Sequence, residues 1–288
     1  MNDIEIRRQK TLSVLSGIKN LPSIPKVVFE VTKLLNNPKT SASSLAELIS
    51  KDQGLTSRIL TVANSPLYGI KRRVSSIEFA VLILGFQDIH SIVTALSLVD
   101  TINIVPGTNF DPAEFWMHSM VVGTAARGIS QHLGFDFGGE AFVAGILHDI
   151  GELVIYKFFN KEFDSVLQRS ISKKLSIIDS EMDVLGMSHQ EMGKYLADTW
   201  NLPEILCDAI NYHHSPVQTT GNKKFVSTIH LVDYMTHRLG IASSFWDKDF
   251  VLDNSILNIL NFHSEEALDN FIVDYEEMFK VTAESLKI

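Results

Sequence analysis

The 288-residue chain contains a single cysteine, Cys207, and so cannot form a disulfide within itself. This shortage is typical of proteins in a reducing compartment. No apolar run approaches the roughly 18 residues that a membrane-spanning helix needs. The polar start MNDIEIRRQK also lacks the apolar core of a signal sequence. The sequence therefore predicts a cytoplasmic protein without a membrane partner.

Cationic residues are also scarce, because 25 lysines and arginines stand against 34 acidic residues and give a formal net charge of −9. Nucleic-acid binding needs clustered lysine and arginine for the phosphates, so we expect no nucleic-acid partner. The basic triplet Lys71-Arg72-Arg73 is interpreted as a solvated loop. The alternative is a nucleic-acid-binding regulator, in which short helices from Ser44 to Tyr68 and this triplet resemble a helix-turn-helix arrangement.

Convincing strand alternation is absent, and apolar residues recur at helical spacing along the chain. The pattern predicts an all-α fold of two packed helical regions. A stretch from Asn103 to Asp111 that contains proline and glycine marks the boundary. It divides the chain into a packet of short helices, 1–105, and a helical region with a C-terminal helical extension, 106–288. Within the second region, one strongly apolar helix is predicted from Glu140 to Phe159.

Several of the ten histidines lie near carboxylates in apolar surroundings. His148 and Asp149 directly follow the apolar run 141–147, where such groups are costly to bury unless they are paired or bind a metal. A purely structural pair at a helix end is the alternative interpretation. The other candidates lie on helix faces or at helix ends: Glu114, His118, His189, His213, His214 and Asp233. Imidazole together with carboxylate suits iron, manganese, zinc or nickel.

The order of these residues resembles that of the HD metal-dependent phosphohydrolases. Three segments resemble specifically the HDOD family: Phe115-Trp116-Met117-His118-Ser119, Gly145-Ile146-Leu147-His148-Asp149-Ile150-Gly151 and Tyr212-His213-His214-Ser215-Pro216. Three more segments resemble the opening helices of that family: Leu21-Pro22-Ser23-Ile24-Pro25, Ile49-Ser50-Lys51-Asp52 and Ala63-Asn64-Ser65-Pro66-Leu67-Tyr68-Gly69. The resemblance covers roughly residues 15 to 240, in the order that the family requires.

The resemblance implies that the second region is an HD-like bundle with a pocket for one or two divalent metal ions. The ligands it implies are His118, His148, Asp149, His189, His213, His214 and Asp233, with Glu114 as an additional candidate. In a hydrolase, His148 and Asp149 would be catalytic, with Asp149 bridging two metals. Glu114 has an alternative role as a capping partner of Asp111. The remaining histidines are predicted to be surface or core residues: His90, His132, His230, His237 and His263.

Two positions depart from the active relatives. HD phosphohydrolases and HD-GYP proteins often carry lysine after His-Asp-Ile-Gly, where this chain has Glu152. We expect Glu152 at the rim of the pocket, where its charge would repel a phosphate. Ser215-Pro216-Val217 also stands in place of the glycine-tyrosine-proline segment. Cleavage of cyclic di-GMP is therefore not expected.

The resemblance implies a signal-transduction output module with an HD-type metal-binding pocket and a signalling protein as partner. The predicted contact surface is Asn64 to Arg73, around a Tyr68-Gly69 turn that we expect to be exposed. The alternative function is a metal-dependent phosphohydrolase that acts on a nucleotide or another phosphate ester. A small phosphorylated ligand is a further candidate partner.

Overall fold

The computed structural model describes residues 3–18, 23–70, 72–107, 109–247 and 250–286. Every regular element in these ranges is a helix and none is a strand, which confirms the predicted all-α fold. The first helices are α1 (Asp3–Gly17), α2 (Lys26–Leu35), α3 (Ala42–Ile49), α4 (Gln53–Ala63), α5 (Ile77–Leu84) and α6 (Phe86–Asp100). The later helices are α7 (Pro112–His132), α8 (Gly138–Leu147), α9 (Ile150–Phe158), α10 (Asn160–Lys173), α11 (Ile177–Leu185), α12 (His189–Thr199), α13 (Glu204–Tyr212), α14 (Lys223–Leu239), α15 (Ser255–Ile259) and α16 (Glu265–Leu286).

Helices α2 to α6 form the packet of short helices that the sequence predicts. Their apolar faces meet in a core that includes Leu45 and Ile49, both fully buried. Ser41 and Asp52 begin α3 and α4, because their side chains accept a backbone N–H of the first turn. Gly85 separates α5 from α6 at a φ of 87°, where the chain bends by 119°. That backbone conformation is open to glycine at little cost, so the bend folds the packet back on itself.

Close glycine contacts bring together the helices that surround the candidate site. A side chain at Gly145 would lie 2.6 Å from the Cα atom of Gly123, so α7 and α8 pack nearly backbone to backbone. At Gly151 a Cβ atom would lie 1.8 Å from the carbonyl oxygen of His189. The start of α9 can therefore reach the start of α12 only without a side chain at residue 151.

The first and last helices pack against elements that are distant in sequence. Helix α1 lies against α11, where the hydroxyl of Thr11 donates to the carbonyl oxygen of Leu185 at 2.7 Å. Helix α16 contacts α7 and also the turn at Pro66–Tyr68, with Ser65 and Thr282 3.4 Å apart. Contacts therefore cross between the two halves at both termini, and the division at residues 105 and 106 remains a prediction.

The structure agrees only in part with the exposed surface that the sequence predicts at residues 64–73. Tyr68 is buried, because its ring packs edge-on against Phe142 and lies under the guanidinium of Arg127. The expectation of an exposed tyrosine turn was therefore wrong. Arg72 and Arg73 are exposed, whereas Lys71 and the residues Leu21 and Pro22 of the first motif lie outside the described residues.

In the described ranges, no single helix has the length and apolar character needed to cross a membrane. The bent pair α5 and α6 meets that test only when its two helices are taken together.

Candidate metal centre

The helix predicted from Glu140 to Phe159 is interrupted at the two residues of greatest interest. Helix α8 ends at Leu147 and α9 begins at Ile150, so His148 and Asp149 occupy the break between them. Both side chains are buried and lie close to His118, which is in the second turn of α7. The break is the local feature that lets two adjacent residues face one centre.

Three more segments deliver the remaining candidates. His189 is the first residue of α12, held there by a capping box in which Ser188 and Glu191 exchange contacts, as their spacing predicts. His213 and His214 directly follow α13, whose last residue is Tyr212. Asp233 lies within α14 and is buried.

Two sets of side chains meet at this centre. In the first set, the Nε2 atoms of His118 and His148 are 3.2 Å apart. The carboxylate of Asp233 lies 3.4 Å from His118 Nε2 and 3.7 Å from His148 Nε2. In the second set, His189 Nε2 lies 3.4 Å from His213 Nε2 and 3.2 Å from His214 Nε2. Each set is compact enough to surround one ion.

Asp149 lies between the two sets and presents a different oxygen to each. Its Oδ2 atom is 3.4 Å from His148 Nε2 and 3.6 Å from His118 Nε2. Its Oδ1 atom is 3.3 Å from His213 Nε2 and 3.6 Å from His189 Nε2. A carboxylate with one oxygen directed to each set has the geometry of a bridging ligand.

Hydrogen bonds hold four of the imidazoles so that Nε2 faces inward. His118 Nδ1–H donates to Ala242 O at 2.8 Å, His148 Nδ1–H to Gly145 O at 2.8 Å, and His213 Nδ1–H to Ile210 O at 2.9 Å. His189 Nδ1–H donates to the carboxylate of Glu181 at 3.0 Å. Since each Nδ1–H donates outward, Nε2 is the ring nitrogen that faces the centre and that the neutral imidazole would offer to a metal.

The charges of the centre are mutually dependent. Burial alone would raise the pKa of Asp149, but the neighbouring imidazoles of His148, His213 and His189 hold it well below its usual value. Burial would lower the pKa of His148, yet Asp149 and Asp233 raise it to about 9. A proton on His148 therefore partly balances two buried carboxylates. A divalent cation in the same place would supply that balance more fully.

A pair of buried glutamates stands behind His189. Glu181 accepts the backbone N–H of His189 at 2.8 Å as well as its ring N–H. Glu152 Oε1 lies 3.5 Å from His189 Nδ1. Burial raises the pKa of Glu181 to about 8, and burial together with the nearby Glu181 raises that of Glu152 well above its usual value.

The expected position of Glu152 at the rim was wrong, because only 1% of its surface is exposed. Glu152 follows Asp149 by three residues, so the first turn of α9 places both on the same side. Its carboxyl group is thus directed inward and meets Glu181, a residue that no sequence motif selects. Glu181 lies eight positions before His189, and only the packing of α9, α11 and α12 brings the three together.

Glu114 is not part of the centre. It is exposed, one turn before His118 on α7, and belongs to none of the clusters of potential ligands among the described residues. The capping interaction of Asp111 uses the backbone N–H of Ala113 instead. The structure therefore separates the weakest proposed ligand from the other seven.

The other histidines have varied surroundings. His230 is buried and structural, since its Nδ1–H donates to His213 O at 2.6 Å and its Nε2 accepts the backbone N–H of Asp253. His237 lies at the edge of the centre, with its Nε2 atom 3.7 Å from Asp233. Outside the centre, His90 contacts Thr32, His132 contacts Tyr275, and His263 is exposed.

A segment after α14 contributes contacts that the sequence did not indicate. The indole N–H of Trp246 donates to Asp149 Oδ2 at 2.8 Å. Asp247 Oδ2 lies 3.6 Å from His214 Nδ1, and burial raises the pKa of the Asp247 carboxyl well above its usual value. An aromatic residue next to an acid in a loop has no recognisable motif, so only the fold shows that Trp246 and Asp247 reach the centre.

Comparison with known proteins places this centre in a family. The model of the HDOD domain matches residues 21–216. The chain belongs to the HDOD family. A solved HDOD domain protein with unknown function from Geobacter sulfurreducens is 29% identical, with a TM-score of 0.78, and 99% of this chain and 98% of that one are covered.

Two further matches extend the comparison. A structure from Shewanella amazonensis, provisionally assigned as a phosphohydrolase, is 23% identical with a TM-score of 0.71, covering 95% of this chain and 98% of that one. This likeness concerns the fold alone. An uncharacterized protein from Treponema pallidum is 25% identical over 92% of this chain. The chain spans only 52% of that relative's length.

Proposed function

We propose that this HDOD protein is a signalling module built around an intact centre for one or two divalent metal ions. The observation that carries the proposal is the position of Asp149, whose two carboxylate oxygens each face a separate set of imidazole nitrogens. His118, His148 and Asp233 would hold one ion, and His189, His213 and His214 the other. When bound, such a pair of metals can activate water for attack on phosphorus.

The donor chemistry supports metal binding rather than a purely structural cluster. Asp233 Oδ1 is buried and has no hydrogen-bond partner among the described residues. A buried carboxylate oxygen without a partner is costly unless a cation satisfies it. The inward Nε2 atoms of His118 and His148 lie near this carboxylate and suit the same ion.

The surroundings favour a regulatory role over rapid hydrolysis. The described contacts within the centre involve histidines and carboxylates, with no lysine or arginine to attract a phosphate. Glu152 and Glu181 add buried carboxyl groups close to His189. The ligand side chains are also almost completely enclosed in this conformation. A signalling protein partner, contacted through helical surfaces, is accordingly the proposed output.

Hydrolysis of a nucleotide or another phosphate ester is the second candidate, supported by the bridging geometry of Asp149. The two functions differ in turnover. The test begins with elemental analysis of protein purified without chelator, followed by a panel of phosphate esters. We expect one or two metal ions per chain and turnover no faster than that of the Asp149→Ala variant. Metal-dependent turnover that disappears in Asp149→Ala would instead establish a hydrolase, and absence of metal at saturating Mn²⁺ would contradict both candidates.

A further inference from the structure

Residues 241–247, which follow α14, lie across the metal centre and are here called the strap. Ala242 O accepts the Nδ1–H of His118 at 2.8 Å, and Trp246 donates to Asp149 Oδ2 at 2.8 Å. Asp247 lies 3.6 Å from His214. The strap therefore contacts one residue of each imidazole set and the carboxylate between them. These three contacts come from a segment beyond the part that matches the family model.

Asp247 and His214 form an incomplete pair at the centre. Asp247 Oδ2 is buried and has no hydrogen-bond partner among the described residues. His214 is a ligand candidate, and its Nδ1 atom also has no partner within hydrogen-bond distance among the described residues. If His214 uses Nε2 for a metal, its Nδ1–H can donate a hydrogen bond to the carboxylate of Asp247. A shift of a few tenths of an ångström would bring 3.6 Å into the range of a hydrogen bond.

Trp246 connects the centre to a large cavity. Its ring packs against Phe110 and Phe115, with centroid distances of 5.9 and 5.6 Å. Trp246 and Phe245 also line a cavity of about 1170 Å³ that has Lys174 in its wall. Trp246 thus contacts both this cavity and the buried carboxylate of Asp149.

We propose that bound metal holds the strap closed over the centre, and that Trp246 and Asp247 are positioning residues acting through Asp149 and His214. The proposal rests on the metal centre proposed above. Partners that orient metal ligands contribute about 10–100-fold in metal affinity. By linkage, a strap that strengthens metal binding when closed must itself be held closed by the metal. The position of the strap therefore depends on whether metal is bound.

The first test compares Mn²⁺ affinity in the full chain. Trp246→Phe keeps an aromatic ring but removes the N–H that reaches Asp149, and Asp247→Asn keeps the shape but replaces the carboxyl group with an amide. We expect each to weaken Mn²⁺ binding about 10–100-fold. Trp116→Phe and Asp253→Asn are matched controls, since Trp116 packs beneath Arg58 and Asp253 accepts from Ser255, both outside the centre. The controls should retain the affinity of the unchanged protein.

The second test distinguishes positioning from general packing. Hydrogen exchange of the strap peptide should slow when Mn²⁺ is added to the unchanged protein, and this change should be largely lost in Asp247→Asn. The visible absorption spectrum of Co²⁺-loaded protein should differ in Asp247→Asn but not in Asp253→Asn, because the ligand field reports the orientation of His214. Circular dichroism of the metal-free variants checks that they fold.

The outcomes separate the two proposals. If the unchanged protein takes up no Mn²⁺, the metal centre is wrong and the inference about the strap fails with it. If Mn²⁺ binds but leaves strap exchange unchanged, or if both variants bind with full affinity, the strap is not coupled and the metal centre stands alone. Should a variant misfold, the effect of Mn²⁺ on exchange in the unchanged protein still decides.

Discussion

The two halves of the molecule bury different kinds of side chain. In the described residues between 23 and 100, no histidine, acid, lysine or arginine is fully buried, and the buried polar residues are Ser65 and Ser97. The half from α7 to α14 encloses a large ionisable set: His118, His148, Asp149, Glu152, Glu181, His189, His213, His230 and Asp233. The first half is a conventional apolar core, whereas the second carries desolvated charge.

The buried ionisable groups of the second half lower its stability, and they lie at the candidate metal centre. Buried carboxylates and imidazoles cost free energy unless they are paired or bind an ion. In the second half, three backbone carbonyls and Glu181 accept the Nδ1–H of four imidazoles, but the inward Nε2 atoms face one another. The first half should therefore be indifferent to metal, while the second should depend on it.

The largest expected effect is that of a methyl group at Gly151. Its Cβ atom would meet the backbone carbonyl of His189 at 1.8 Å, and backbone cannot move aside cheaply. We expect Gly151→Ala to destabilise the protein by more than the ~3 kcal/mol at the upper end of ordinary overpacking. The matched change in the first half is Gly54→Ala, where the new methyl meets only Asp52 Oδ1 at 3.4 Å.

Urea unfolding of the two alanine variants measures this contrast. Gly54→Ala should be neutral or stabilising by about 0.5–1 kcal/mol, because alanine is preferred in a helix. Equal stability of Gly151→Ala and the unchanged protein would show that α9 and α12 do not approach as closely as described.

The next prediction compares a core residue of each half. Leu45→Ala should lower the free energy of unfolding by about 2–5 kcal/mol whether or not metal is present, because it only removes apolar packing. Asp149→Asn should behave differently, with most of its effect disappearing when metal is removed. Thermal unfolding of each variant, once with Mn²⁺ and once with chelator, gives the four changes in stability to be compared. A metal-dependent effect of Leu45→Ala would remove the distinction between the halves.

Removal of metal from the unchanged protein should lower the free energy of unfolding by an intermediate amount. At a free-metal concentration 100 times the dissociation constant, binding contributes about 2.7 kcal/mol to stability. Hydrogen exchange should locate the loss, with faster exchange near His148, His189 and His213 and little change in α3 and α4. Uniform acceleration along the chain would argue that the halves respond as one unit.

The smallest predicted effect concerns two helix caps. Ser188→Ala and Ser41→Ala each remove a capping box, so each should cost about 1 kcal/mol. Only Ser188→Ala should also weaken metal binding, because Ser188 fixes the start of α12 and thereby His189. Isothermal titration with Mn²⁺ separates these cases. An equal loss of affinity in Ser41→Ala would contradict a local role for the cap.

The sequence predicted the all-α fold and the family because helical spacing and ordered motifs are local signals. It also selected the seven residues that the structure brings together, from His118 to Asp233, although their role as ligands remains a prediction. The break between α8 and α9 was not predicted, since Ala141–Phe158 is apolar enough to suggest one continuous helix. The turn at His148 is set by tertiary contacts rather than by a proline or glycine at that point.

Residues recruited from other elements were harder to predict. Glu181 resembles an ordinary acidic residue of a surface helix, and its burial depends on the close approach of α9 to α12 at Gly151. Trp246 and Asp247 belong to a loop whose path over the centre no local pattern encodes. Glu152 could have been placed correctly, because its spacing of three from Asp149 puts both on one helical face.

The most direct test of the metal centre is anomalous diffraction from crystals grown with Mn²⁺ at low concentration. We expect one or two peaks, each beside an oxygen of Asp149, either among His118, His148 and Asp233 or among His189, His213 and His214. Two peaks should be about 3.5–4 Å apart, the separation usual for a bridged metal pair. A fully folded protein with no peak between these residues would contradict the account.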